Sequence, residues 1–470
     1  MFYKNMTFKD FALLSAAALA LASCGSTDEE SSAKTENSQD AAAFASTYAA
    51  MPSETTLITN AFIIDGAGDE IENGSILITN GRITAIGPDI KGEDANVTID
   101  ADGKYVTPGI IDIHSHLGNY PSPSIRAHGD GNEITNPITS EVYAEHGVWP
   151  QDPGFDEALQ GGVTTLHILP GSANLFGGRG VTLRNVAART VQAMKFPNAP
   201  YTLKMACGEN PKRVYGSKGG PGSRMGNVAG YRKNWIKAAE YKAKRDKGGD
   251  DFKRNLQLET LADVLDGKIL VQMHCYRADE MAQILDIAKE FDYKVTTFHH
   301  AIEAYKIGDL LAESETCAAM WADWYGFKME AYDTIRENIP FVHAAGACAM
   351  IHSDDDLGIQ RLNQEVAKTW ADGNRAGLDI SRAEAWKWLT YNPAKALGIL
   401  DETGSLEVGK RADLVLWSDE PFSTYARPEK VMIDGALAYN KASGLKPTSD
   451  FRLGQVYQGQ IDDTAAEGDN

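Results

Sequence analysis

Residues 106–117 read VTPGIIDIHSHL, and the HSH that ends this stretch decides how the rest of the chain is read. Pro108-Gly109 marks where the chain turns into a strand. Ile110, Ile111 and Ile113 supply the apolar run of a buried strand. In a strand alternate side chains share one face, roughly 6.6 Å apart along the chain. His114 and His116 therefore share a face at a strand end, where two imidazoles can grip one transition metal.

Further strand-like stretches follow at 162–170 (GVTTLHILP), 199–206 (APYTLKMA), 268–275 (KILVQMHC), 294–301 (KVTTFHHA), 315–322 (ETCAAMWA) and 347–353 (ACAMIHS), with GVTLRN at 180–185 as one more candidate. Helical stretches fall between them, including 278–291 (ADEMAQILDIAKEF) and 330–339 (EAYDTIRENI). Strand–helix units repeated through residues 106–400 predict an α/β fold with a parallel sheet, and eight such units close into a (β/α)8 TIM-like barrel. Before the barrel, 53–105 alternates in strand fashion with Asn80-Gly81 as a hairpin turn. After it, 401–445 is again strand-like. These flanks predict a composite β-sandwich drawn from both termini. The Gly-rich PGSANLFGGRG (170–180) fits no phosphate loop and reads as a loop over the active site.

In such barrels chemistry gathers at the C-terminal ends of the strands. The metal-type residues ending these strands are His114 and His116, Lys204, His274, His299 or His300, and Asp354. Among basic residues near strand ends (Arg184, Lys212, Arg213, Arg224, Arg277), Arg277 and Arg224, together with Tyr215, are candidates for substrate binding. Trp321, Trp324 and Tyr325 are candidates for lining an apolar pocket. His352, two residues before Asp354, shares the inward face of the last strand, either orienting Asp354 or packing in the core. His343 reads as structural, and His128, His146 and His167 have no assigned role.

PGIIDIHSH, GGVTT (161–165), LKMACGENP (203–211), VQMHC, the HH of TFHHA, HSDD (352–355), TYNPAKALG (390–398) and GSLEVGKRADLV (404–415) together resemble the amidohydrolase superfamily, nearest to its imidazolonepropionase-like and prolidase-like branch. The resemblance spans about 55–440. It implies the barrel, the composite β domain and one or two divalent metal ions, with zinc expected. It implies that His114 and His116 hold one metal and that His274 and His300 hold a second. Lys204 would bridge them as a CO₂ carbamate, with Glu209 as a rival bridging carboxylate. The small residue Ala301 favours His300 over His299 in that pattern. Asp354 would bind metal and act as general base, with Asp355 and Asp356 as loop residues. The implied activity is hydrolysis of a C–N bond in an amide, cyclic amide or dipeptide. A deaminase of the same fold, or a non-catalytic binding lipoprotein, is the alternative. His352 departs from the family pattern, which often has a small residue there.

The 470 residues carry 43% hydrophobic and 23% charged residues and a net charge of −20. That charge argues against nucleic acid as a partner, since phosphate binding needs clustered Lys and Arg. A small-molecule substrate is expected, and self-association is left open. Lys4, Lys9 and the apolar run from Phe11 to Ala22, ending Leu21-Ala22-Ser23-Cys24, resemble a bacterial lipoprotein signal over 1–24. Cys24 would be the lipidated residue, 25–52 a flexible tether, and 446–470 an acidic tail. The expected location is the periplasm, anchored at the outer membrane, with membrane contact through the lipid alone. Of the other four cysteines, Cys207, Cys275 and Cys348 fall on or beside barrel strands and are expected as buried free thiols.

Overall fold

The computed structural model describes residues 43–443 except 123. The signal segment, Cys24, most of the tether and the acidic tail lie outside the described residues.

Alternation builds the first strands. β1 (Thr56–Ile64), β2 (Glu70–Thr79), β3 (Arg82–Pro88), β4 (Val97–Asp100) and β5 (Tyr105–Pro108) precede the barrel. Asn80 (φ 52°) and Gly81 (φ 76°) turn β2 into β3. Both positive φ values are what a two-residue hairpin turn of type I′ needs. Any side chain at Gly81 would also strike Asp434, whose carbonyl oxygen lies 2.7 Å from the Cβ position. The barrel strands follow: β6 (Ile110–Ser115), β7 (Val163–Ile168), β8 (Phe176–Arg184), β9 (Thr202–Ala206), β10 (Leu270–Cys275), β11 (Val295–His300), β12 (Cys317–Met320) and β13 (Ala349–Ile351). The chain then returns through β14 (Leu414–Trp417), β15 (Pro428–Ile433) and β16 (Ala436–Asn440) to the first sheet.

That sheet runs β16-β15-β14-β5-β1-β2-β3, with β4 paired to β1. Both ends of the chain contribute to one continuous sheet. Ile58, Ile76, Ile78, Val106, Leu414 and Met432 share one apolar cluster within it.

The barrel strands lie in sequence order from β6 to β13. Most neighbours are parallel, but β8 runs antiparallel to both β7 and β9. The Gly-rich stretch expected as a loop is in part this strand. Glycine is required there by close packing: a Cβ on Gly180 would lie 2.5 Å from Thr202 Oγ1 and 2.9 Å from His167 Nε2. Between β13 and β6, residues 388–389 complete the ring. Ile351 N donates to Trp388 O (3.0 Å) and Ile111 N to Leu389 O (2.9 Å).

Two further expectations are corrected. The helix expected over 330–339 is a 3-10 turn at Met329–Ala331, and an α-helix begins only at Asn338–Ala344. Pro340 has no N–H and fits only the first turn of a helix, so the helix starts just before it. Helix Ala278–Phe291 forms as expected. The four cysteines are paired rather than free: Cys207 with Cys275 across β9 and β10 (Cα–Cα 5.2 Å), and Cys317 with Cys348 across β12 and β13 (Cα–Cα 4.4 Å). Adjacent parallel strands hold their ends within disulfide reach.

Candidate metal centre and active site

The barrel strands and the segments just beyond them bring six of the candidate side chains together. His114 Nε2 lies 3.2 Å from His116 Nε2 and 3.4 Å from Asp354 Oδ1. His116 Nε2 lies 3.2 Å from the same carboxylate oxygen. Lys204 Nζ, from β9, is 3.2 Å from His114 Nε2. His300 Nδ1 faces Asp354 Oδ2 at 3.8 Å. The rings of His274 and His300 are 4.5 Å apart. Glu209 is not in this group: it lies in an outer groove, 3.5 Å from Lys328 Nζ.

Asp112 joins the two strands that carry this cluster. Its carboxylate accepts hydrogen bonds from Ser353 N (3.1 Å), His114 N (3.2 Å) and Ser353 Oγ. Asp354 N donates to His114 O (3.0 Å), and Asp354 itself sits at φ 50°. His300 (φ 68°) and Ala301 (φ 41°) are also left-handed. Such non-glycine strain concentrates where surrounding contacts over-determine the backbone. Asn338 supplies part of that restraint, donating from Nδ2 to Ala301 O (3.0 Å) and Ile302 O (3.1 Å).

His299 and His300 separate by partner. His299 Nδ1 meets His114 Nδ1 at 2.9 Å, and its Nε2 meets Gln272 Oε1 at 2.7 Å. Gln272 Oε1 can only accept, so His299 carries its proton on Nε2 and accepts from His114 on Nδ1. That leaves His114 Nε2 as a lone-pair donor facing His116 and Asp354. His299 and Gln272 thus set the tautomer of a candidate ligand, a role visible only once the strand register is known.

Electrostatics favour neutral imidazoles. Burial holds the pKa values of His114, His274, His299 and His300 well below the ordinary value, and the charge of Lys204 adds to this at each. Burial likewise brings His352 to about 4 and Lys204 down to about 7. Burial opposes the charged form of Asp354. Close contact with His116 and the charge of Lys204 outweigh it, and its carboxyl stays below the usual range. His274 Nδ1, His300 Nδ1 and both nitrogens of His352 are buried without a hydrogen-bond partner in the protein. Buried polar groups are normally satisfied. Neutral imidazoles with spare lone pairs around a carboxylate form a donor set that fits a transition-metal ion.

The substrate-binding candidates are placed differently. Arg277 and Arg224 line a groove of about 720 Å³ with Glu209, Lys212, Lys306 and Glu330. Arg277 is held by Asp279 (2.9 Å), and Arg224 by Glu280 (2.9 Å) and Glu330. Tyr215 is buried and does not line this groove; burial pushes its hydroxyl up to about 12. Arg184 is at the opposite end of the barrel, because the reversed β8 carries its last residue beside Thr165 near the start of β7. There it pairs with Asp413 and Asp434. Closer to the imidazoles, Trp321 and Tyr276 lie nearly parallel to the His300 ring at 4.5 and 5.2 Å, and Trp324 stacks on Trp321. His343, as expected, lies in the helix before β13, packed on Trp388.

An amidohydrolase from Thermotoga maritima MSB8 has the same fold, with a TM-score of 0.76 and 34% sequence identity over 82% of this chain and 100% of that one. The chain belongs to the amidohydrolase superfamily. The amidohydrolase family pattern itself matches residues 326–438. Amidohydrolase tasK of Hapsidospora irregularis is 30% identical over 430 residues, 82% of this chain but 43% of that protein, so the chain spans less than half its length. Imidazolonepropionase of Rhizobium rhizogenes is 26% identical over 398 residues, covering 75% of this chain and 89% of that enzyme. The chain is thus an imidazolonepropionase-like member of that superfamily, with a His/Asp cluster that could hold a metal.

Proposed function

We propose that this amidohydrolase is metal-dependent and cleaves an amide, cyclic amide or dipeptide with metal-activated water. The convergence of His114 Nε2, His116 Nε2 and Asp354 Oδ1 within 3.2–3.4 Å of one another carries the reading. These three residues would hold one divalent ion, zinc by donor type. His274 and His300 would hold another, with Lys204 bridging. When bound, such ions lower the pKa of water and polarise a carbonyl oxygen.

The chain's own groups supply the rest. Lys204, brought to about 7 by burial, keeps a neutral amine population near neutral pH. A neutral amine is the form that adds CO₂. Asp354 turns Oδ1 to His114 and His116, which leaves Oδ2 to take the water's proton and return it to the leaving nitrogen. The stacked Tyr276, Trp321 and Trp324 form an apolar wall beside His300 that suits a planar or apolar substrate group.

The test is metal analysis of the purified protein together with hydrolysis of a panel of N-acyl amino acids and dipeptides. Activity should vanish with a chelator and return with Zn²⁺. Hydrolysis that persists at full rate after the metal is stripped would sink the proposal.

We also infer export as a lipidated protein. The LASC ending of the apolar segment supports it, as do two disulfides, which persist in oxidising compartments.

A further inference from the structure

Two buried barrel histidines outside the expected ligand set show how an ordinary interior imidazole is accommodated. His167 places Nδ1 3.1 Å from Thr182 Oγ1 and Nε2 2.8 Å from Thr202 Oγ1. His299 has both nitrogens engaged, by His114 and Gln272. His352 differs from both. It is 1% exposed, and neither ring nitrogen has a hydrogen-bond partner. Its ring lies 5.1 Å from those of His114 and His300. One donor nitrogen from each of His114, His300 and His352 lies within 4.8 Å of the other two. Trp321 packs its ring 5.0 Å from His352 but spends its own N–H on Ser353 O. The space around His352 is therefore shared with donor nitrogens of His114 and His300, and Nδ1 of His300 is itself unpartnered.

We propose that His352 is itself a ligand of the metal centre, adding a third imidazole beside those of His114 and His300. The proposal rests on the metal-dependent reading above. Its chemical consequence is selectivity. A site of three neutral imidazoles prefers Zn²⁺ or Co²⁺ to Mg²⁺ or Mn²⁺, which favour carboxylate and water oxygens.

Titration of the metal-stripped full chain with Co²⁺, read by visible absorption and by bound metal after gel filtration, tests the assignment. His352→Leu fills the space without a donor. At least one binding step should weaken by roughly tenfold or more, since even groups that merely orient ligands are worth about 10–100-fold. The visible band should change with it. A His352→Leu protein with wild-type affinities and an unaltered spectrum overturns the role of His352 and leaves the metal-dependent reading standing. A wild-type chain that takes up no Co²⁺ overturns both. Should His352→Leu fail to fold by circular dichroism, His352→Gln is read the same way: weakened binding with an altered band supports ligation, and wild-type behaviour overturns it.

Discussion

Asp354 combines a left-handed backbone, a carboxyl held below its usual range, and one oxygen directed to two imidazoles. Asn keeps its shape and one oxygen but cannot accept a proton. Asp354→Asn should fold, retain most of its metal and lose activity by about 10²–10⁴-fold, the usual worth of general base catalysis. Asp355 accepts backbone bonds from Leu357 N and Gly358 N in the following loop, so Asp355→Asn should turn over near the wild-type rate. Full activity in Asp354→Asn would remove the proton-transfer role. Lys204 offers a pH test. Its pKa is about 7 in the fold against the ordinary 10.5. Between these values the unfolded chain holds a proton that the folded chain has shed, so the lysine's contribution to stability rises with pH across that window. In CO₂-free, metal-free buffer, the unfolding free energy of wild type minus that of Lys204→Met should climb from about pH 7 to 10.5. A flat difference would contradict a buried, neutral amine. His299→Leu removes the acceptor that fixes the His114 tautomer, and metal affinity should fall about 10–100-fold. Unchanged metal affinity in that variant would show that His114 needs no such partner.

At the scale of elements, strand β8 shows what patterning conveys and what it omits. Alternation and apolar runs place most barrel strands within a few residues, because each strand is apolar on its own. Strand direction is not a local property. β8 is fixed as antiparallel by its neighbours β7 and β9, and nothing in FGGRGVTLR records that. The misplacement of Arg184 follows from the same omission. In the site, HSH, Lys204 and HSDD are legible as residues ending strands. The His299–Gln272 relay and the unpartnered His352 ring depend on register across β6, β10, β11 and β13. Pairing of the cysteines is hidden for the same reason: the partners are 68 and 31 residues apart, on strands that are neighbours only in the sheet. The GSLEVGKRADLV motif acquires a physical role at this scale. Asp413 receives Arg184 at 2.5 and 2.7 Å, Thr403 Oγ1 at 2.7 Å and Asp434 N at 3.0 Å, joining the barrel to the composite sheet. Removing one partner leaves a buried charge. Asp413→Ala should cost about 3–5 kcal/mol in urea unfolding, while the folded fraction keeps wild-type metal content. A loss below 1 kcal/mol would mean that Asp434 alone satisfies Arg184.

For the whole molecule the question is where a barrel with these disulfides works. Among the described residues no helix is long and apolar enough to cross a membrane. Cys24, after Leu-Ala-Ser and ahead of a Ser-, Ala-, Asp- and Glu-rich stretch, is the candidate attachment point. Lipid stabilises membrane contact by about 0.8 kcal/mol per buried CH₂, and more than one chain is needed for stable anchoring. In a bacterial host the wild-type chain should therefore label with a fatty-acid analogue and sediment with membranes. Cys24→Ala should not label, and should appear as a soluble or unprocessed species. The disulfides give a matching readout, because disulfides form and persist in oxidising compartments. Alkylation of free thiols before and after reduction should reveal four additional cysteines in the exported protein. A Cys24→Ala chain that still partitions into membranes as the same processed species would end the lipoprotein reading. Four free thiols in the wild-type protein would remove the support that the disulfides lend to an oxidising compartment.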